Sequence, residues 1–292
     1  METLWQNSCE YLNQDERAQL GQLLHKYRDI FSKDEFDIGQ FQGVEHTIDT
    51  GEAQPIKQRM RRTPLHFVNE EKEQLMKMLQ AGVIEPSISE CASPPVLIRK
   101  SDGKVRYAID YRKLNSVTKK DVYPLPLIDD CLDTLSGNER FSKLDANNAY
   151  YQMSVKSEHR PKTAFITKYG LFHFTRMSFG LCKAPSTYAR AIDLVLRGLN
   201  WQIVLAFLDD ILVMGRNLND HLNNLRLVFE QFREYGIKLK AKCDLWNYEQ
   251  EQAFEALKQA LPTTPVLTLP NAHDKFILDT DASDTAIRIQ LL

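Results

Sequence analysis

Three aspartates carry the strongest chemical signal in this sequence. Asp209 and Asp210 are adjacent and lie between two apolar runs, Val204 to Leu208 and Ile211 to Met214. Runs of this kind read as buried strands. Ionised carboxylates without partners are very unfavourable in such a setting. Two like charges in contact also push one of the two pKa values up. A bound divalent cation removes both objections, and oxygen donors suit Mg²⁺. The plain alternative is an exposed Asp-Asp turn. Asp129-Asp130, a second such pair on a segment with helical spacing, shows that the pair alone is weak.

A third carboxylate strengthens the reading. Phe141-Ser142-Lys143-Leu144-Asp145 reads as a strand whose last residue is acidic. With that strand beside the other two, Asp145 and Asp209 can share two metals roughly 3.5–4 Å apart. This arrangement suits phosphoryl transfer. One metal would activate an attacking hydroxyl and the other would stabilise a leaving pyrophosphate.

The elements that must position these residues follow from periodicity. Asn13 is expected to cap a helix in which Leu20, Leu23, Leu24, Tyr27, Ile30 and Phe31 recur at helical spacing and face the main body. Residues 32–63 read as irregular. Pro64 suits the first turn of a second helix, with Val68, Leu75, Met78 and Leu79 on one face and Gly82 as its C-terminal cap. Pro95 to Arg99 and Val105 to Ile109 flank turn residues and read as a hairpin. Ile128 to Leu135 reads as a helix stopped at Gly137. A second hairpin is expected from Thr163 to Thr167 and Leu171 to Phe174 across Tyr169-Gly170. A helix follows Pro185, with Tyr188, Ile192, Val195 and Leu199 inward. Trp201 to Leu208 and Ile211 to Met214 are the strands on either side of the paired aspartates. Leu218 to Phe232 forms a strongly amphipathic helix stopped by Gly236. Pro262 and Pro265 mark a change of character, after a helix around Phe254 and Leu257 and before a strand from Phe276 to Leu278.

Composition narrows the class. The 292 residues suggest about two domains. Hydrophobic content of 43% and charged content of 26% fit a globular protein. No run approaches the ~20 apolar residues of a membrane helix, and Met1 to Glu10 does not read as a secretory signal. The five cysteines (Cys9, Cys91, Cys131, Cys182, Cys243) make no CxxC pair. That argues against a zinc site or a disulfide framework and suits a reducing compartment. Cys182 and Cys243 read as structural.

The net charge of −2 is uninformative, but its distribution is not. Residues 1–50 hold ten acids against four bases, and residues 99–120 hold eight bases against two acids. The basic stretch could grip phosphates or be a solvated face.

Several segments together resemble the motifs of reverse transcriptases. Phe207-Leu208-Asp209-Asp210 resembles their aromatic-x-Asp-Asp box, and Phe141 to Asp145 the box with the first catalytic aspartate. Arg106 to Asn115 is similar to the fingers segment, Met177 to Pro185 to the nucleotide-pocket loop, and Pro161 to Phe165 also fits. They occur in the family's order with its spacing. The variant is similar to gypsy-type long-terminal-repeat retrotransposons, and residues 12–62 resemble the leader between protease and polymerase.

The resemblance implies an α+β right-hand fold of fingers and palm with an antiparallel palm sheet. An incomplete RNase H-like segment would follow. The implied division is a leader at 1–62, fingers and palm at 63–247, and a connection with a truncated RNase H-like start at 248–292. It also implies roles. Asp145 and Asp209 would be the main ligands of two Mg²⁺ ions, or Mn²⁺ in their place, with Asp210 and the Ala146 carbonyl supporting. Tyr150 would be a steric gate against a ribose 2′-hydroxyl; its alternative is a packed aromatic. Lys100 and Arg106 would hold the incoming triphosphate, and Phe179 would pack on its sugar. Their alternatives are surface charge and plain core.

Implied partners are an RNA or DNA template with primer, dNTPs, and the protease, RNase H and integrase portions of a parent polyprotein; no membrane is involved. The implied location is cytoplasmic, in retroelement particles, with nuclear access left open. Two departures stand out. The chain has no Gly-His pair, and Asp244 to Asn247 runs directly into Tyr248 to Phe254, which resembles the connection before RNase H. A thumb-length segment is therefore expected to be missing near Asn247. Asp281 falls where the first RNase H ligand would be, too near the end for the other carboxylates, so no RNase H activity is expected. The resulting alternative is a remnant that keeps the fold and binds nucleic acid without useful catalysis.

Overall fold

The computed structural model describes residues 12–99, 105–124, 126–207, 210–240, 278–283 and 286–291. The chain divides into two compact units, Met1–Trp246 and Asn247–Leu292. In the first unit the elements run in the order α1 (Gln14–Lys26), α2 (Val68–Gln80), β1 (Ile84–Pro86), β2 (Pro95–Arg99), β3 (Val105–Ile109), α3 (Arg112–Val117), α4 (Ile128–Leu135), β4 (Arg140–Asp145), β5 (Phe165–Thr167), β6 (Gly170–Phe174), α5 (Ala184–Val195), β7 (Val204–Phe207), β8 (Asp210–Gly215) and α6 (Leu218–Glu234). Three sheets form: β4-β8-β7, β1-β6-β5 and the hairpin β2-β3. Their pairings are antiparallel. The second unit contains a hairpin of β9 (Leu278–Ser283) and β10 (Ala286–Leu291).

The central sheet β4-β8-β7 is built from the two apolar runs and the acidic-ended strand. Alternation sets its faces. Along β4, Ser142 and Leu144 are buried, while Lys143 is exposed and Asp145 half-buried. The inner face rests on α6, whose Leu225, Val228, Phe229 and Phe232 are buried at helical spacing. Two local devices lock the helix down. His221 is 5% exposed, and its Nε2 lies 2.7 Å from Ser142 Oγ on β4. Gly215 ends β8 where a Cβ would come within 2.6 Å of the His221 backbone, so only glycine lets the helix approach this closely.

Helix α1 starts at Asn13 through a reciprocal capping box with Glu16. It docks on α6: Tyr27, fully buried, donates its hydroxyl to Glu230 at 2.7 Å, and Arg233 Nε donates to Asp29 at 2.8 Å.

Most expected elements form, with informative shifts. Trp201 is not in a strand. It has φ 67° and its N–H bonds Val204 O at 2.9 Å, so a tight turn delays β7 to Val204. Thr163 ends a 3₁₀ segment, Ser157–Thr163, and β5 starts at Phe165. Pro64 precedes a 3₁₀ turn, Leu65–Phe67, and α2 proper begins at Val68. Strand β1 and helix α3 are additional. Each is short, with too few apolar positions to show a period. Asp129-Asp130 does fall on a helix, α4. The expected elements between 241 and 277 lie outside the described residues, as do Phe276 and Ile277; Leu278 opens β9.

Two buried histidines give the fold a pH signature. Burial lowers His221 to about 4 and His46, whose Nδ1 lies 3.0 Å from Thr187 Oγ1, also to about 4. Both stay neutral in the folded chain, whereas the unfolded chain protonates them near 6.5. Their stabilising contribution is therefore complete above pH 6.5 and lost as pH falls toward 4, at about 3 kcal/mol each. Urea unfolding at about pH 7.5 and about pH 4.5 should show this loss, and His221→Gln should shrink it by roughly half. An unchanged pH dependence in the variant would exclude His221 as a source.

Candidate active site

The register of the central sheet brings two of the predicted carboxylates together. Asp145, the last residue of β4, is the cross-strand partner of Asp210, the first of β8. Asp210 also closes the β7–β8 hairpin opposite Phe207. Leu208 and Asp209, between them, lie outside the described residues. Both described carboxylates remain open to water, their side chains 40% and 61% exposed. Each already holds a cation. Lys240 Nζ lies 2.5 Å from Asp145 Oδ2, and Lys143 Nζ lies 2.8 Å from Asp210 Oδ1. Facing carboxylates with solvent access offer the oxygen donors that a hard divalent cation prefers. Among the described residues no group of three His, Cys, Asp or Glu side chains forms a metal cluster by itself.

The turn after Asp145 is clamped by backbone from both ends of the first unit. Residues 238–240 insert as a short rung between the turn and the leader. Asn147 N donates to Lys238 O at 2.9 Å and Lys240 N to Asp145 O at 2.8 Å. On the other edge, Leu239 N donates to Ile30 O and Ser32 N to Leu239 O, each at 2.8 Å. Side chains complete the clamp. Asn147 is 4% exposed, and its Nδ2 lies 3.1–3.2 Å from the carbonyls of Asp34, Glu35 and Asp37. Gln152, also buried, donates to Asn147 O and Lys238 O at 2.8 Å and accepts from Lys238 N. Gly39 sits where a Cβ would meet Gly236 O at 2.1 Å, so the leader presses directly on the loop after α6. None of these polar contacts has a sequence periodicity that could have announced it.

A cavity of about 310 Å³ opens beside Asp145. Its lining includes Ala146, Phe179, Tyr107, Lys240 and, from the leader, Glu35. Tyr150, in a 3₁₀ turn that begins after the left-handed Asn148, packs on Phe179 with ring centroids 4.9 Å apart and on Tyr188 at 5.8 Å. The predicted gate and the predicted sugar-packing residue are thus neighbours. Asn115 fixes the loop that carries Phe179: its Nδ2 donates to Gly180 O at 2.7 Å and its Oδ1 accepts from Cys182 N at 3.0 Å. Cys182 itself is exposed, so its side chain is not core, and Cys243 lies outside the described residues.

Three of the eight bases in the basic stretch, Arg99, Arg112 and Lys119, pair with acids among the described residues. Arg112 grips Asp110 with two 2.8 Å bonds, Arg61 adds a third at 3.0 Å, and the Arg112 hydrogen bonds draw the Asp110 carboxyl down to about 2. Arg99 pairs with Glu70 and Lys119 with Asp49. Lys100 lies outside the described residues. Arg106 sits in β3 opposite Ile98, its side chain outside them. Asp281 lies in β9 opposite Arg288, again as backbone only. No described helix is long and apolar enough to cross a membrane.

Comparison with known proteins matches residues 98–259 to the family described as reverse transcriptase (RNA-dependent DNA polymerase). Residues 246–292 match an RNase H-like domain found in reverse transcriptase. The retrovirus-related Pol polyprotein from transposon 297 of Drosophila melanogaster is 28% identical over 359 aligned positions, covering 95% of this chain and 34% of the relative. The Pol polyprotein from transposon 412 of the same fly is 32% identical, over 80% of this chain and 19% of the relative. The chain thus spans no more than about a third of the length of these relatives. Among solved structures, the foamy viral protease-reverse transcriptase in complex with RNA/DNA hybrid superposes with TM-score 0.77 at 22% identity, covering 85% of this chain and 33% of that one. The native prototype foamy virus enzyme gives 0.75 at 22% identity, over 84% and 32%. The expected α+β fold with its antiparallel palm sheet is the one these structures share.

The clamp on the turn after Asp145 is measurable without any ligand. Asn147→Ala removes one buried donor group shared by three carbonyls and should cost about 2–3 kcal/mol in urea unfolding. A loss below about 0.5 kcal/mol would mean that the leader is not held through Asn147.

Proposed function

The chain belongs to the reverse transcriptase family, and on that premise we propose that it is the polymerase portion of a gypsy-type retroelement Pol polyprotein, extending a primer by metal-assisted nucleotidyl transfer. The observation that carries the reading is the pairing of Asp145 with Asp210 at one end of the central sheet, beside a cavity walled by Phe179. Asp145, Asp209 and Asp210, with the Ala146 carbonyl, would hold two Mg²⁺ or Mn²⁺ ions. When bound, such ions activate a primer hydroxyl and neutralise charge on the leaving pyrophosphate.

The chain's own groups account for the rest. Phe179 offers an apolar face to the nucleotide sugar, and Tyr150, packed on it, leaves little room for a 2′-hydroxyl. Arg106 and Lys100, on the β2-β3 hairpin and its connection, would grip the triphosphate. The similar foamy viral protease-reverse transcriptase is solved in complex with RNA/DNA hybrid, which supports a template and primer here. RNA or DNA template, primer and dNTPs are accordingly the proposed substrates, and protease, RNase H and integrase portions the proposed companions in a parent polyprotein. Cytoplasmic retroelement particles are the proposed setting.

A second reading is favoured by one specific observation. The alignment with the transposon 297 relative runs over 359 positions, longer than the 292-residue chain, so that relative carries residues this chain lacks. This supports the missing segment near Asn247, and with it a chain that binds nucleic acid but holds the primer poorly.

Primer extension on an RNA template with Mg²⁺ separates the two. Under the first reading the chain extends the primer, and Asp145→Asn or Asp209→Asn lowers the rate by at least about 10³-fold. No extension by the wild type, with template binding retained, establishes the remnant. Tyr150→Ala should raise ribonucleotide incorporation relative to deoxyribonucleotide by about tenfold or more. An unchanged ratio removes Tyr150 as the gate.

A further inference from the structure

Asp145 and Asp210 meet as like charges across one rung of the sheet, and each is answered by a lysine. The two lysines reach the pair differently. Lys143 stands two residues before Asp145 on the same face of β4, diagonal to Asp210, as the strand's alternation requires. Lys240 comes from the rung that clamps the catalytic turn. Its backbone N–H is bonded to Asp145 O at 2.8 Å while its ammonium lies 2.5 Å from Asp145 Oδ2. The side chain is therefore tethered to the very residue whose charge it balances, and it lines the same cavity.

We propose that Lys240 and Lys143 form a built-in cation clasp on the paired aspartates, so that a divalent cation must displace the Lys240 ammonium to reach Asp145. This rests on the metal-binding reading above and deepens it. The clasp explains how two facing carboxylates coexist without a metal: two ammonium groups cancel the two described negative charges. It also sets how readily the site loads. An ion pair with both partners about half exposed is weak, so a dication gathering several carboxylate oxygens displaces it, but at reduced affinity. The backbone bond at residue 240 keeps the displaced ammonium at the cavity wall.

The test is Mn²⁺ binding to the full chain, read from the free-ion electron paramagnetic resonance signal, with far-UV circular dichroism confirming that each variant is folded. Lys240→Met keeps the stem and removes the charge, and should tighten Mn²⁺ binding by about fivefold to tenfold. Lys156→Met removes the same charge at a site outside the clamp, where the ammonium pairs with Glu158 at 2.8 Å rather than with Asp145, and should leave affinity within about twofold. Asp145→Asn should weaken binding about tenfold or more. Unchanged or weaker binding by Lys240→Met, with Asp145→Asn still weakening it, overturns the clasp and leaves the metal site standing. Equal tightening by both lysine variants also overturns it, in favour of a general field effect. Insensitivity to Asp145→Asn places the metal elsewhere and removes both the site reading and the clasp.

Discussion

A pair of like charges on one rung of a β-sheet is the constraint around which this molecule is organised. The register that places Asp145 opposite Asp210 is set by the apolar face of β4 and β8, because a slip of one residue would turn Leu144, Ile211 and Val213 toward water. Hydrophobic burial thus enforces an electrostatic cost. The surroundings answer it in three ways: the rung ends at the sheet edge where water reaches it, two lysines stand against it, and the backbone beyond Asp145 is bonded so that the carboxylates cannot drift apart.

That last provision changes how the leader is understood. The sequence suggests a spacer that runs up to a polymerase, and residues 32–63 do lack regular structure. Yet the leader supplies carbonyls to Asn147, an acid to Lys238 and a strand edge to Leu239. An irregular segment can be as structurally committed as a helix when its hydrogen bonds go to buried side chains rather than to its own backbone. The acid excess of residues 1–50 partly serves these contacts, with Asp29 and Asp37 each paired to a base from α6 or the rung after it.

What was legible in the sequence follows from how each feature is encoded. Elements with long apolar periods, α1, α2, α6 and the strands β2, β3, β4 and β8, could be read because burial repeats every 3.6 or 2 residues. Their ends could be read where a cap or a left-handed glycine marks them, as at Asn13, Gly82 and Gly236. The approach of Tyr150 to Phe179 and of Asp145 to Asp210 was legible only through family resemblance, since spacing alone does not reveal which strands are neighbours. The contacts of Asn147, Gln152, Asn115 and Lys240 were illegible. Each is a single polar side chain whose partner lies 65 to 113 residues away or in another loop. Polar residues at isolated positions look the same in sequence whether they clamp a buried turn or face solvent.

The rung at Leu239 has a consequence for how the protein is made. Its backbone bonds join residue 30 to residue 239 and residue 145 to residue 240. On the ribosome, residues 30 and 145, which that rung joins, emerge long before residues 238–240 do. The aspartates are therefore synthesised into a turn that stays unclamped until residues 238–240 emerge, and closing loops of this length is slow relative to local helix formation. Fixing of that turn waits on residues near the end of the first unit, and any interruption of synthesis short of Lys238 yields a chain that carries the sheet's residues but lacks the backbone clamp on the turn.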